Sequence, residues 1–249
     1  MIDKGSGTAR GMTLMEVLIA VTLVALLSVG MLYSLRAGLG SVETIDRRVE
    51  ADRRASGAQR ILEQEFAHLM PVTAPCRAGA EGLPSAPSAF FDGEPQVMRF
   101  VSAYSLQGAA RGQAKILELF VIPGSDRNSV RLVVNELPYF NPLSAGVLCF
   151  QRIDEASGGR SFLAFAPPQA MPNSFVLADR LAGVSFAYRE LLNIEPWERW
   201  TDRWMNTDAF PDAVRVDMAP LAGDSARIPP LPLFVRIPVT RRANESVER

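Results

Sequence analysis

From Val17 to Leu35 the chain reads VLIAVTLVALLSVGMLYSL, 19 residues without a charge. As a helix such a run spans roughly 28 Å at about 1.5 Å per residue, close to the roughly 30 Å of a bilayer's hydrocarbon core. A short polar stretch carrying Lys4 and Arg10 precedes it. That pairing of a basic flank with a long apolar run predicts a membrane helix rather than a buried core helix. A cleaved secretory signal fits less well, because its apolar region is about 7 to 15 residues long and this run continues into a second helix-like segment. A plain anchor leaves Glu16 unexplained, since an intramembrane carboxylate costs about 2.5 to 3.5 kcal/mol at a helix centre, less near an end, and usually has a partner.

Beyond Arg36 the pattern turns amphipathic. Leu35, Leu39, Val42, Ile45 and Val49, then Ala55, Ala58, Leu62, Phe66 and Leu69, recur at spacings of mostly three and four, the helical period. Between Arg36 and Met70 six arginines balance six acids. Glu43 with Arg47, and Glu50 with Arg54, stand four residues apart and brace a solvated face by about 0.2 to 0.5 kcal/mol each. Pro71 marks the stop, so Met12 to Met70 reads as one helix, with bends expected near Gly38 and Gly40. Leu62, Phe66 and Leu69 are the expected core contacts of its second half.

The remainder reads as β-rich. Residues 71 to 95 carry five prolines and predict a long loop or crossover. Strands are expected at Val97 to Ala103, Ile116 to Ile122, Val130 to Asn135, Val147 to Arg152, Ser161 to Phe165, Val184 to Arg189, Val214 to Met218 and Phe234 to Val239. One long helix followed by about eight short strands is an α+β chain. With 48% hydrophobic and 21% charged residues the chain carries enough apolar material for a core. Its 26 Lys plus Arg against 27 Asp plus Glu leave a net charge of −1, which argues against a nucleic-acid binder.

Catalytic patterns are missing from the sequence. His68 is the one histidine, placed to interact with a helix C-terminus, and no G-x-S-x-G, Walker, G-x-G-x-x-G, C-x-x-C or H-E-x-x-H spacing occurs. Neither enzyme activity nor a cofactor nor a metal is expected. Asp202, Asp208 and Asp212 gather around Trp197, Trp200 and Trp204, but without an EF-hand spacing they read as a solvated acidic loop. The three tryptophans fit either packing of a long connection on its own sheet or an interface anchor.

The stretch Gly11-Met12-Thr13-Leu14-Met15-Glu16-Val17-Leu18-Ile19-Ala20 resembles the class III signal of type IV pilins and of the pseudopilins of type II secretion. The resemblance implies removal of a leader, residues 1 to 11, by a prepilin peptidase cutting between Gly11 and Met12, and N-methylation of Met12. It implies that Glu16 neutralises the N-terminal amine of a neighbouring subunit as helices stack, thereby registering the assembly. Met12 departs from the phenylalanine most often found there. Tyr188, the tryptophan-bearing connection and Pro211-Asp212-Ala213-Val214-Arg215 resemble the J-type minor pseudopilins, loosely over residues 180 to 240.

The implied organisation is a pilin-like fold: a transmembrane part over 12–35, a periplasmic amphipathic part over 36–70, and a periplasmic β-rich head over 71–249. The implied protein is a single-pass subunit of the bacterial inner membrane, with other pseudopilins, the secretion platform and the prepilin peptidase as partners. Its function is to help form the tip of a short periplasmic pseudopilus and start its growth. A minor pilin of a type IV pilus shares these features, and a membrane-anchored periplasmic binding or enzymatic domain is the reading of another class. Cys76 and Cys149 fall in the head, outside the cytoplasm in this topology, where they are either a disulfide or two buried thiols acting as small apolar residues.

Overall fold

A computed structural model describes residues 13–76, 86–108, 110–126, 128–154, 161–192, 194–221 and 232–238, excluding the side chains of 37–55, 110, 111 and 154. Gly11 and Met12 lie outside these residues, as do the side-chain pairs Glu43–Arg47 and Glu50–Arg54. The chain divides into two units, residues 1–50 and 51–249.

Helix α1, Leu14–Ala67, begins at Thr13, whose carbonyl and hydroxyl both accept from the Glu16 amide, at 3.0 and 3.3 Å. A hydroxyl at this position satisfies an amide that the first turn leaves without a helical partner, and the acid in that turn suits the positive end of the helix dipole. Helical hydrogen bonding passes through Gly30, Gly38, Gly40 and Gly57 without a break. The helix ends at Ala67 rather than at Met70. After His68, Leu69–Met70 form strand β1 opposite Ser102 and Val101, so strand pairing overrides the helical period two residues before Pro71.

In the second unit the strands after β1 are β2 (Thr73–Ala74), β3 (Ser88–Ala89), β4 (Asp92–Gly93), β5 (Val97–Ser105), β6 (Ala110–Pro123) and β7 (Val130–Pro138). A short helix α2 (Pro142–Gly146) leads to β8 (Cys149–Asp154), β9 (Ser161–Phe165), β10 (Phe175–Leu191), β11 (Glu198–Thr201), β12 (Ala213–Pro220) and β13 (Leu233–Arg236). All eight expected strands are present, several of them longer, but β8 starts at Cys149 rather than Val147 and β13 ends at Arg236, with Val239 outside the described residues. The proline-rich stretch also contributes β2, β3 and β4, and the tryptophan connection contains β11, none of which shows two-residue periodicity long enough to read. The main sheet runs β1-β5-β6-β7-β10-β12-β13, with β4 joined to β5 and β11 to β10, while β2–β3 and β8–β9 form two-stranded sheets. Every pairing among these strands is antiparallel. The described architecture is thus an N-terminal apolar helix and a large antiparallel sheet, an α+β chain.

Side chains alternate across a strand, and the register sorts them into two cores. On one face Met98 and Phe100 of β5, Leu117 and Leu119 of β6, and Leu132 and Val134 of β7 join Ala58, Leu62 and Phe66 of α1 and Leu69 of β1. The rings of Phe66 and Phe100 stack at 5.3 Å. The opposite face places Val101 and Ile116 against Val72, Ala74, Phe90 and Ala145. Beside this second core a disulfide joins Cys76 to Cys149, both buried, with Cα atoms 4.9 Å apart.

Candidate functional site

The first unit presents one clear chemical feature. Leu14–Arg36 has a mean hydropathy of 2.3 and none of it is buried, so it is long and apolar enough to cross a membrane. Thr22 and Ser28 turn their hydroxyls onto the Ile19 and Val24 carbonyls, each at 2.8 Å. Such back-bonding leaves those hydroxyls satisfied without water. Glu16 is exposed in the first turn and carries the only charge between Leu14 and Leu35.

In the second unit the three tryptophans take three different environments. Trp204 is 6% exposed and packs in the core, its ring N–H donating to the Ala209 carbonyl at 3.0 Å and its amide to Gly93 at 2.8 Å. A Cβ on Gly93 would sit 2.7 Å from the Trp204 Cβ, so only glycine admits this approach. Trp200, on β11, has the Arg189 and Arg215 guanidinium carbons 5.8 and 5.6 Å from its ring and Phe234 edge-on at 5.8 Å. Trp197 is 64% exposed.

The motif around them has structural reasons. Tyr188 is fully buried and donates to the Glu94 carbonyl at 2.8 Å. It stands opposite Val214 across β10–β12, while Arg189 stands opposite Ala213. Arg189 Nε donates to Asp212 Oδ2 at 3.0 Å, and Arg189 Nη1 lies 3.3 Å from Glu198. Asp212 is therefore buried in an ion pair. The Asp208 amide donates to Asn206 Oδ1 at 3.0 Å and its carboxylate lies 4.0 Å from Arg152, while Asp202 is exposed. Among the described residues no three His, Cys, Asp or Glu side chains come close enough to hold a metal ion. His68 follows the last turn of α1, with Nδ1 2.7 Å from the Gln64 carbonyl.

Two apolar surfaces were not legible in the sequence pattern. Phe140, Leu143, Val147 and Phe150, 73%, 67%, 57% and 49% exposed, line the outer side of α2 and the start of β8. Asn141 and Ser144 form a capping box on that helix, and Cys149 ties the following strand to Cys76. The second surface is an open groove of about 470 Å³ between Gly57, Ala58 and Ile61 of α1, Leu106, and Phe175 to Asp179 of β10. Its lining is apolar apart from Asp179.

A row of polar side chains lies buried on the face away from α1. Asp92, Arg99, Glu118 and Asn135 occupy directly opposed positions on β4, β5, β6 and β7. Arg99, 1% exposed, donates to Asp92 at 2.5 Å, to Glu118 at 2.7 Å and to the Ala166 carbonyl, and its guanidinium carbon lies 5.3 Å from the Phe165 ring centre. Asn135 bridges Glu118 at 2.8 Å to the Gln169 carbonyl at 3.0 Å, and accepts from Ser174. Burial pushes the Asp92 carboxyl up to about 7, against the pull of Arg99. Every member of the row is hydrogen-bonded, and such a satisfied network fixes strand register.

No protein-family model matches the chain, and no curated protein matches it.

Proposed function

We propose that this chain is an assembly subunit of a pilin-like filament, a minor pseudopilin of a type II secretion system and most like the J-type subunit. The observation that carries the reading is the first unit: an apolar helix of membrane-spanning length, capped by Thr13, whose only charge before Arg36 is Glu16 in the first turn. Beyond complementing the helix dipole, a carboxylate there is unexplained in a plain anchor, and a neighbouring chain's N-terminal amine gives it the partner that an intramembrane charge requires. The exposed apolar side chains Phe140, Leu143, Val147 and Phe150, on and beside a capped helix whose following strand is tied by the disulfide, support a head that meets other proteins.

In this reading a prepilin peptidase removes residues 1 to 11 and exposes Met12, which is methylated. Glu16 then pairs with the amine of a neighbouring subunit, removing two unmatched charges from the membrane together. The chain spans the bacterial inner membrane once, and its head lies in the periplasm, contacting other minor pseudopilins to start the pseudopilus. The test is the mass of the mature N-terminal peptide from cells with and without a prepilin peptidase. A peptidase-dependent start at Met12 supports the assignment; a start at Met1, or a cut beyond Leu35, overturns it.

A further inference from the structure

Glu65 lies on α1 between Leu62 and Leu69, at the contact of the helix with the sheet, and is 2% exposed. Its Oε2 is 2.6 Å from the Ser102 hydroxyl of β5, whose oxygen also accepts the Tyr104 amide at 3.1 Å. Ser102 has one proton to give. Glu65 Oε1 is buried and accepts no hydrogen bond among the described residues. A carboxylate at this position therefore has a single donor for two oxygens, whereas burying a charge demands full pairing.

The groups around it carry both signs, and of these Glu136 adds to the imbalance. From β7, Glu136 presents a second negative charge, itself held by the Ser105 hydroxyl at 3.3 Å and by the Leu106 and Gln107 amides. From β6, Lys115 stands opposite Ser102. From the end of α1, His68 turns its ring onto Tyr104 of β5, with centres 5.6 Å apart. Burial, countered by the Ser102 hydrogen bond and reinforced by Glu136, pushes Glu65 up to about 7.

We propose that Glu65 is a protonation-controlled latch, which as a neutral acid lets the last turns of α1 stay closed on the sheet and as a carboxylate, buried with one donor for its two oxygens, loosens that contact although the Ser102 hydrogen bond itself favours the charge. The latch is a property of the second unit and stands independently of the filament assignment. A group whose folded value lies above its unfolded one stabilises fully below the unfolded value and loses that contribution as pH rises through the folded value. Here the window runs from 4.5 to about 7.

The experiment is amide hydrogen exchange on the full-length protein in detergent micelles at pH 5, 6, 7 and 8, with rates corrected for intrinsic exchange. The readout is protection of residues 57–67 relative to β6, which separates the latch from changes in global stability. In the wild type this ratio is expected to fall by about tenfold per pH unit between pH 5 and 7 and to level off by pH 8. Glu65→Gln should abolish the fall. Ser102→Ala, which removes the hydrogen bond favouring the ionised form, should move the fall to higher pH. A ratio independent of pH in the wild type, a fall retained in Glu65→Gln, or a Ser102→Ala fall that stays in place or moves to lower pH overturns the latch. If Glu65→Gln does not fold, the direction of the Ser102→Ala shift decides.

Discussion

Arg99 Nε donates to Glu118 Oε1 at 2.7 Å from a position directly opposite it on the neighbouring strand. The same guanidinium reaches Asp92 on its other side, so one cation serves two carboxylates where none of the three meets solvent. Arg99→Met leaves both acids without their counter-charge and is expected to destabilise the head by about 3 to 5 kcal/mol. Arg99→Lys should recover only part, because an ammonium cannot reproduce the planar fork. Urea unfolding followed by tryptophan fluorescence measures both.

The Asp92 carboxyl carries a pH signature of its own. Its folded value of about 7 lies above the unfolded 3.8, raised first by burial and opposed by Arg99. Its stabilising contribution is thus complete below about pH 3.8 and fades as pH rises through about 7. The denaturation midpoint is expected to be lower at pH 8 than at pH 5.5, and Asp92→Asn to narrow the difference. An unchanged difference in that variant would assign the dependence elsewhere.

Phe66 meets the sheet with no exposed surface and stacks on Phe100. Truncation to alanine opens a cavity between helix and sheet that neither backbone can close, at an expected cost of about 3 to 5 kcal/mol. Denaturant titration of the variant beside the wild type reads this directly.

Cys76 and Cys149 are separated by 73 residues, and in the chain-entropy model a loop of that size contributes about 4 kcal/mol. The paired replacement Cys76→Ala with Cys149→Ala should lower stability by up to that amount, and peptide mapping without reductant should recover the two segments as one linked species.

Glu16 should matter to assembly and not to the head, since it belongs to the first unit. Glu16→Ala is expected to leave the thermal unfolding of the head unchanged. In the proposed filament, incorporation should drop by about tenfold or more, because the neighbouring amine loses the partner that an intramembrane charge requires. Cross-linking to neighbouring pilin-like subunits tests this, and normal incorporation would remove the registering role.

Much of the architecture was legible in the residues themselves. The apolar run names a membrane-length helix because 19 uncharged residues in succession match a bilayer's thickness, and the four-residue spacing of Ala58, Leu62 and Phe66 names the buried stripe of its second half. Ser161–Phe165 stands where its β-rich composition puts it. These are local signals: each depends on side chains a few positions apart along one element.

Tertiary structure alone decided the rest. Leu69 and Met70 continue the helical period yet become a strand, because β5 offers them backbone partners. Trp204 enters the core while Trp197 stays exposed, a difference that turns on the space Gly93 leaves and not on composition. Arg99 reads as an ordinary outward position on a strand until Asp92 and Glu118, 7 and 19 residues away, are brought beside it. Glu65 reads as one acid among six on a solvated helix face until Ser102 closes over it. Sequence periodicity reports which side of an element differs from the other, but the burial of a polar group and the identity of its partner depend on which distant strands fold against it. The sheet's register sets both.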